Sequence, residues 1–133
     1  MDLDILASLS VSQRVEGFCP KIFYSNVEHY KVYVRCEIFT DVRIGNLILI
    51  KRIKSKRLEL VPAKLVLQKV EVFKSVKIEI GNMCLIRGDV FKNEYYPSRI
   101  DNIKMHQNIC EVLDCFGRCT WTNLKEISFV SGC

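Results

Sequence analysis

The chain has 133 residues, 49% of them apolar and 26% charged, enough for one domain or two small packed ones. No apolar run approaches the roughly 20 residues of a membrane helix, and the acidic start Met1-Asp-Leu-Asp lacks the basic region of a signal peptide, so an intracellular protein is expected. Seven Cys, several inside apolar runs, argue against a disulfide framework and for small buried hydrophobes; the net charge of +5 is concentrated in Lys51-Arg-Ile-Lys-Ser-Lys-Arg57, which argues against a broadly basic nucleic-acid protein.

Residues 1–20 read as a leader. Leu3, Leu6 and Leu9 are three apart and fit a short amphipathic helix, with Asp2 or Asp4 as its cap. Gly17 and Pro20 end any such helix. Residues 21–75 read as a strand-rich part. Tyr30, Val32, Val34, Cys36 and Ile38 alternate with Lys31, Tyr33, Arg35 and Glu37, the period of a strand with one buried face. Val42 to Ile50 is expected as the next strand, with a bulge or kink at Gly45-Asn46. The basic cluster then reads as a hairpin tip. Leu58 to Leu67 returns, and Pro62 places it at a sheet edge or a bulge. Val70 to Ile80 alternates again. Gly45-Asn-Leu-Ile-Leu-Ile and Pro62 faintly resemble Gly81-Asn-Met-Cys-Leu-Ile and Pro97; a strand-rich chain produces such an echo by chance, and that reading is preferred to a duplicated barrel.

Residues 76–133 carry the most informative strings. They read Gly81-Asn-Met-Cys84-Leu-Ile, Glu94-Tyr95-Tyr96-Pro97-Ser98-Arg99-Ile100, Ile109-Cys-Glu-Val-Leu-Asp114-Cys-Phe116-Gly117 and Thr120-Trp121-Thr-Asn-Leu124-Lys-Glu-Ile127. Short strands broken by turn signals point to a small bent barrel. In order and residue type these pieces resemble a Tudor domain, whose strands run G-x-x-C-x-A, W-Y-R-A-x-V, V-x-F-x-D-Y-G-N and a last strand ending in L-x-x-L. The expected fold is therefore all-β: a Tudor (SH3-like) barrel packed against an N-terminal part that is either OB-like, as in the staphylococcal-nuclease-like subdomain of extended Tudor domains, or a second barrel. Almost nothing follows Ile127 to complete an OB subdomain, so the N-terminal half is expected to close on itself or to remain an open sheet.

The resemblance implies a cage of aromatic rings that holds a methylated Arg or Lys by cation–π attraction. Tyr95 and Tyr96 match the W-Y of the second strand, and neighbours on a strand point opposite ways, so one faces the cage and one the core. Phe91, in the preceding loop, is a candidate wall. Val112 falls where the family carries an aromatic residue. Asp114 matches the Asp of D-Y-G-N and, with one residue inserted, Phe116-Gly117 match Tyr-Gly; Arg118 then stands at the Asn. An Arg cannot accept a hydrogen bond from methylarginine and repels it. The cage therefore reads as degenerate, comprising Phe91, Tyr95, Tyr96, Asp114, Phe116 and Arg118, and methylation-independent. Trp121 is expected in the barrel core.

His106, Cys110, Cys115 and Cys119 do not form the paired knuckles of a structural zinc site, and no metal or cofactor is expected. No catalytic string appears and His29 and His106 stand in no recognisable triad, so no enzyme is expected. The leading expectation is a non-catalytic adaptor that docks a partner protein or Arg-rich peptide. The Tudor resemblance implies a scaffold in a germline small-RNA (piRNA) silencing pathway, with Arg-rich tails of PIWI-type Argonautes as ligands and the cytoplasmic germ granule (nuage), or else the nucleus, as its place. The alternative is an OB-like RNA-binding module using Lys51, Arg52, Lys54, Lys56 and Arg57, with Tyr24, Tyr30 and Tyr33 upstream for stacking. A third is a structural subunit of a larger assembly. An edge at Leu58 to Leu67 would also permit β-augmentation or dimerisation.

Overall fold

The computed structural model describes residues 2–10, 14–21, 32–70, 78–88 and 94–132. The described chain is an all-β structure with one short helix, α1 (Leu3–Ser8), whose Asp2 side chain caps it by accepting from the Asp4 amide. Ser10 ties the end of this helix to the sheet by donating to Asp41 at 2.7 Å.

The ten strands form two repeats of one topology. In the first, β1 (Val15–Pro20), β2 (Tyr33–Ile44), β3 (Leu47–Arg52) and β4 (Leu58–Pro62) pair in succession. A one-turn 3₁₀ helix, Ala63–Leu65, then leads into β5 (Leu67–Val70), which closes onto β1. In the second, β6 (Met83–Arg87), β7 (Tyr95–Lys104), β8 (Ile109–Asp114) and β9 (Cys119–Asn123) pair in succession. The 3₁₀ turn Leu124–Glu126 leads into β10 (Ile127–Gly132), which closes onto β6. Each repeat is a five-stranded, SH3-like barrel unit. The match extends to single backbone bonds. The Ala63 amide donates to the Asn46 carbonyl, and the Leu124 amide to the Asn108 carbonyl, both at 2.9 Å.

The two repeats join along a seam of two strand pairings. Tyr33 of β2 lies opposite Tyr95 of β7, and β5 pairs with β10 from Leu67↔Gly132 to Val70↔Phe129. Both pairings bring equivalent segments together antiparallel, which places a pseudo-two-fold axis between the repeats. They also close a ring, β1-β2-β7-β6-β10-β5, with the β3–β4 and β8–β9 hairpins as outward extensions.

The core follows from this ring. Cys19, Cys36, Ile38, Ile48, Ile50, Val61 and Val66 fill the first repeat. Cys84, Ile100, Cys110, Val112, Ile127 and Phe129 fill the second. A third cluster, Phe18, Tyr33 and Leu85 with Leu67, Tyr95 and Val130 against it, fills the seam. Ring strands thus bury both faces: on β1, Phe18 points to the seam while Cys19 points into the repeat.

Several sequence expectations change. Val15–Pro20, assigned to a leader, is a core strand; a strand buried on both faces shows no alternation to betray it. Gly17 and Pro20 are strand residues rather than helix stops. Gly45-Asn46 forms the β2–β3 turn, not a bulge, because Gly45 takes a positive φ of 58° that suits a tight hairpin. The N-terminal half is a second barrel, not an OB fold: its strands form a meander rather than a Greek key. One topology is repeated in the two halves, but the sequence echo does not follow it, since β6 corresponds to β1 and Gly45-Asn46 corresponds to the turn at Asn108.

The basic cluster is a hairpin tip and β4 is a terminal strand carrying Pro62, as expected, whereas Leu67 belongs to the interior strand β5. Of the strand expected over 70–80, Val70 ends β5 and residues 71–77 lie outside the described residues, as do Tyr24 and Tyr30. Among the described residues no helix is long and apolar enough to cross a membrane.

One glycine holds the first repeat closed. A Cβ at Gly17 would sit 2.5 Å from the Leu67 carbonyl oxygen and 2.4 Å from Ile38 Cδ1, forcing β1 and β5 apart. Gly17→Ala is expected to destabilise the fold by about 1–3 kcal/mol, the cost of overpacking a tight core. At Gly132 a Cβ would meet nothing within 4 Å, so in urea titrations of the two variants Gly132→Ala is expected to stay close to wild type.

Candidate functional site

Strand β7 enters from the seam with Tyr95 and Tyr96 on opposite faces. Tyr95 packs inward, its ring 4.9 Å from that of Phe18. Tyr96 faces the other way and lines a surface concavity of about 720 Å³ with Ile86, Val112, Asp114 and Arg118 on its walls. Alternation alone assigns one Tyr to the core; the structure makes it Tyr95. The Tyr96 ring lies against backbone, and Gly88 makes that approach feasible, because a Cβ there would stand 2.3 Å from Tyr96 Cε2. Its hydroxyl donates to Glu94 at 3.4 Å, and burial together with that carboxylate raises the phenol above its ordinary range.

The β8–β9 turn forms the second wall. Asp114 is 7% exposed and organises this turn: its Oδ1 accepts from the Phe116 and Arg118 amides, both at 2.9 Å. Its Oδ2 accepts from Arg118 Nε at 3.1 Å. Arg118 Cζ lies 5.4 Å from the centre of the Phe116 ring, and that ring packs edge-on to Tyr96 at 5.2 Å. The site thus already holds one guanidinium between a carboxylate and an aromatic face. That guanidinium belongs to Arg118, the residue standing where the Tudor pattern has Asn.

Five of the six expected cage residues are therefore placed, and four, Tyr96, Asp114, Phe116 and Arg118, come together. Tyr95 is diverted to the seam. Phe91 lies outside the described residues. Sequence reading missed Glu126, an exposed carboxylate on the rim of the concavity, and Thr120 and Thr122 on its wall. Their signal was present: alternate residues of β9 share a face, and Glu126 sits in the L-x-x-L segment. Trp121, expected in the core, is 41% exposed. It occupies the opposite face of the terminal strand β9 from Thr120 and Thr122, and the Lys104 ammonium lies 4.7 Å from its ring centre.

The basic tip is more structured than its composition implies. Arg52 is held by Glu59 at 3.0 Å and by the Pro20 carbonyl at 3.1 Å. Arg57 reaches the same Glu59 at 3.2 Å. Lys54 and Lys56 are exposed, and Lys51 is half-buried.

The cysteine and histidine set does not converge. Cys110 is buried in the second core, Cys115 and Cys119 are exposed at the β8–β9 end, and His106 lies in a 3₁₀ turn, Met105–Gln107, at the other end of β8. Among the described residues no three potential ligands gather to hold a metal. No protein-family model matches the chain, and no curated protein matches it.

The buried thiols give a pH signature. Burial pushes Cys84 from about 9 up to about 12, with Cys110 beside it adding to the shift. Stability owed to the protonated thiol is full below pH 9 and is lost as pH rises toward 12, with a limiting slope of about 1.4 kcal/mol per pH unit. Urea titrations between pH 8 and pH 11 are expected to show a steeper loss for wild type than for Cys84→Ala.

Proposed function

We propose that this chain is a non-catalytic adaptor of Tudor type that docks an Arg-bearing peptide in the concavity of the second repeat. The observation that carries this reading is the grip on Arg118: a guanidinium lies between the Asp114 carboxylate and the Phe116 ring, beside the Tyr96 wall. The chemistry needed for a cationic ligand is thus assembled. Glu126 on the rim adds a carboxylate, and Val112 and Ile86 supply apolar floor for the ligand's methylenes.

Arg118 sets the selectivity. It occupies the Asp114 carboxylate and adds positive charge, so a methylated guanidinium finds neither a side-chain acceptor nor a vacant carboxylate there. An unmethylated Arg instead uses Tyr96 and Glu126 at the outer edge. With the Tudor resemblance, this reading extends to a scaffold in germline small-RNA silencing, with Arg-rich tails of PIWI-type Argonautes as ligands.

Calorimetric titration with one Arg-rich peptide, unmethylated and symmetrically dimethylated, tests the proposal. Wild type is expected to prefer the unmethylated form. Tyr96→Ala is expected to weaken binding about tenfold, the scale of a partly desolvated cation–π contact. Arg118→Asn is expected to move the preference toward the dimethylated form. Binding that ignores Tyr96→Ala, or no binding of either peptide, would sink the reading.

A further inference from the structure

The pseudo-two-fold relation assigns each wall of the second repeat's concavity a counterpart in the first. Strand registers equate Val34 with Tyr96, Arg52 with Asp114, and Glu59 with Thr120. The loop bonds Arg52 N→Arg57 O and Asp114 N→Arg118 O, both 2.9 Å, equate Arg57 with Arg118. A second concavity of about 550 Å³ is found at that place. Backbone geometry is repeated, but the chemistry is reversed. The aromatic wall becomes Val34, and the turn-organising carboxylate becomes a guanidinium.

The charge of this second concavity is one-sided. Among the described residues, Lys21, Arg35, Arg52, Lys54 and Arg57 line it against one acid, Glu59. Glu94 pairs with Lys21, and Glu16 with Arg35, from outside the lining. Among the described residues, five cations thus meet three carboxylates, Glu59, Glu94 and Glu16. Arg52 is largely buried, its side chain 13% exposed, and Glu59 and the Pro20 carbonyl fix its orientation. Arg52 is engaged there and contributes fixed positive charge, while the exposed Lys54 and Arg57 supply mobile donors for an anion.

We propose that the first repeat's concavity is an anion site that takes the phosphomonoester side chain of a phosphorylated peptide. The excess of cations over acids among the described lining residues suits a group carrying a charge of about −2. Val34 and Ile53 give apolar contact for the flanking residues. RNA fits less well. Among the described residues no aromatic side chain lines the concavity for base stacking, and a single-stranded chain needs a basic track rather than one pocket.

The test uses the whole chain and amide-resolved NMR. Sodium phosphate is titrated against sodium chloride at equal ionic strength, followed by a peptide with one phosphoserine, the same peptide with serine, and a 12-nucleotide oligouridylate. Phosphate is expected to give saturable shifts at Lys21 and across residues 52–57. The phosphopeptide is expected to bind at least about tenfold tighter than the serine form, as charge-assisted contacts to two or more cations imply. The exposed pair Lys54→Gln/Arg57→Gln is expected to lose about tenfold, while Lys125→Gln in the other repeat keeps wild-type affinity. Equal responses to phosphate and chloride would overturn the site. Equal affinity for the two peptides would overturn the peptide source. Oligouridylate binding tighter than the phosphopeptide, with a steep fall in salt, would replace the pocket with a nucleic-acid track. None of these outcomes depends on Tyr96 or Arg118, so this proposal and the Arg-peptide reading stand or fall separately.

Discussion

The seam governs this structure. A five-stranded unit of some fifty residues buries too small a core to be stable with ease. Here the six ring strands each add a residue to a shared cluster around Phe18, Tyr33 and Leu85, with Leu67, Tyr95 and Val130 against it, in addition to the two repeat cores. The β5–β10 pairing also removes two strands from the sheet edges, leaving β4 and β9 as its ends. Small side chains follow from this double duty. Cys19, Cys36, Cys84 and Cys110 are buried where two layers crowd, and Gly17 sits where β5 crosses closest. The cysteine-rich composition is thus a packing solution. Cys36 on the neighbouring strand β2 holds the Cys19 thiol below its ordinary pKa through their side-chain hydrogen bond.

How much of this is legible in the sequence depends on how many faces a strand buries. Cys36 and Ile38 are buried with Arg35 outside, and period-two reading finds them. Pro62 marks a sheet end because a proline cannot donate to a second neighbour. Asp114, Phe116 and Arg118 are identifiable because a turn reuses few residue types. A strand buried on both faces is harder. Val15–Pro20 runs intermediate and then continuously buried, so it lacks alternation and reads as a leader. Trp121 is misplaced by sequence for the complementary reason. Size suggests burial, but its position on a terminal strand leaves one face to solvent.

The duplication is nearly invisible because the repeats kept geometry and discarded identity. Tyr33 and Tyr95, Ile38 and Ile100, and Asn46 and Asn108 match, but most paired positions do not. What persists is backbone: the meander, the 3₁₀ turn before the closing strand, and the amide reaching back to the β2–β3 or β7–β8 turn. Such bonds require no particular side chain, so sequence can drift around them. The concavities could then diverge in charge without disturbing either barrel, consistent with function residing in sites rather than folds.

The two concavities nevertheless share a charged link. Lys21 lines the first, Tyr96 lines the second, and the buried Glu94 contacts both. A buried carboxylate needs its partners, since removing one leaves charge desolvated. An anion that draws Lys21 toward the first concavity weakens its hold on Glu94. Glu94 must then rely more on the Tyr96 hydroxyl, which fixes the wall of the second. A cation entering beside Tyr96 acts in the opposite sense, because it offers Glu94 a replacement charge. Opposite charges in the two concavities therefore favour one another through Glu94. A ligand bearing both, an Arg and an anionic group on one chain, matches that polarity better than two separate ligands of like charge.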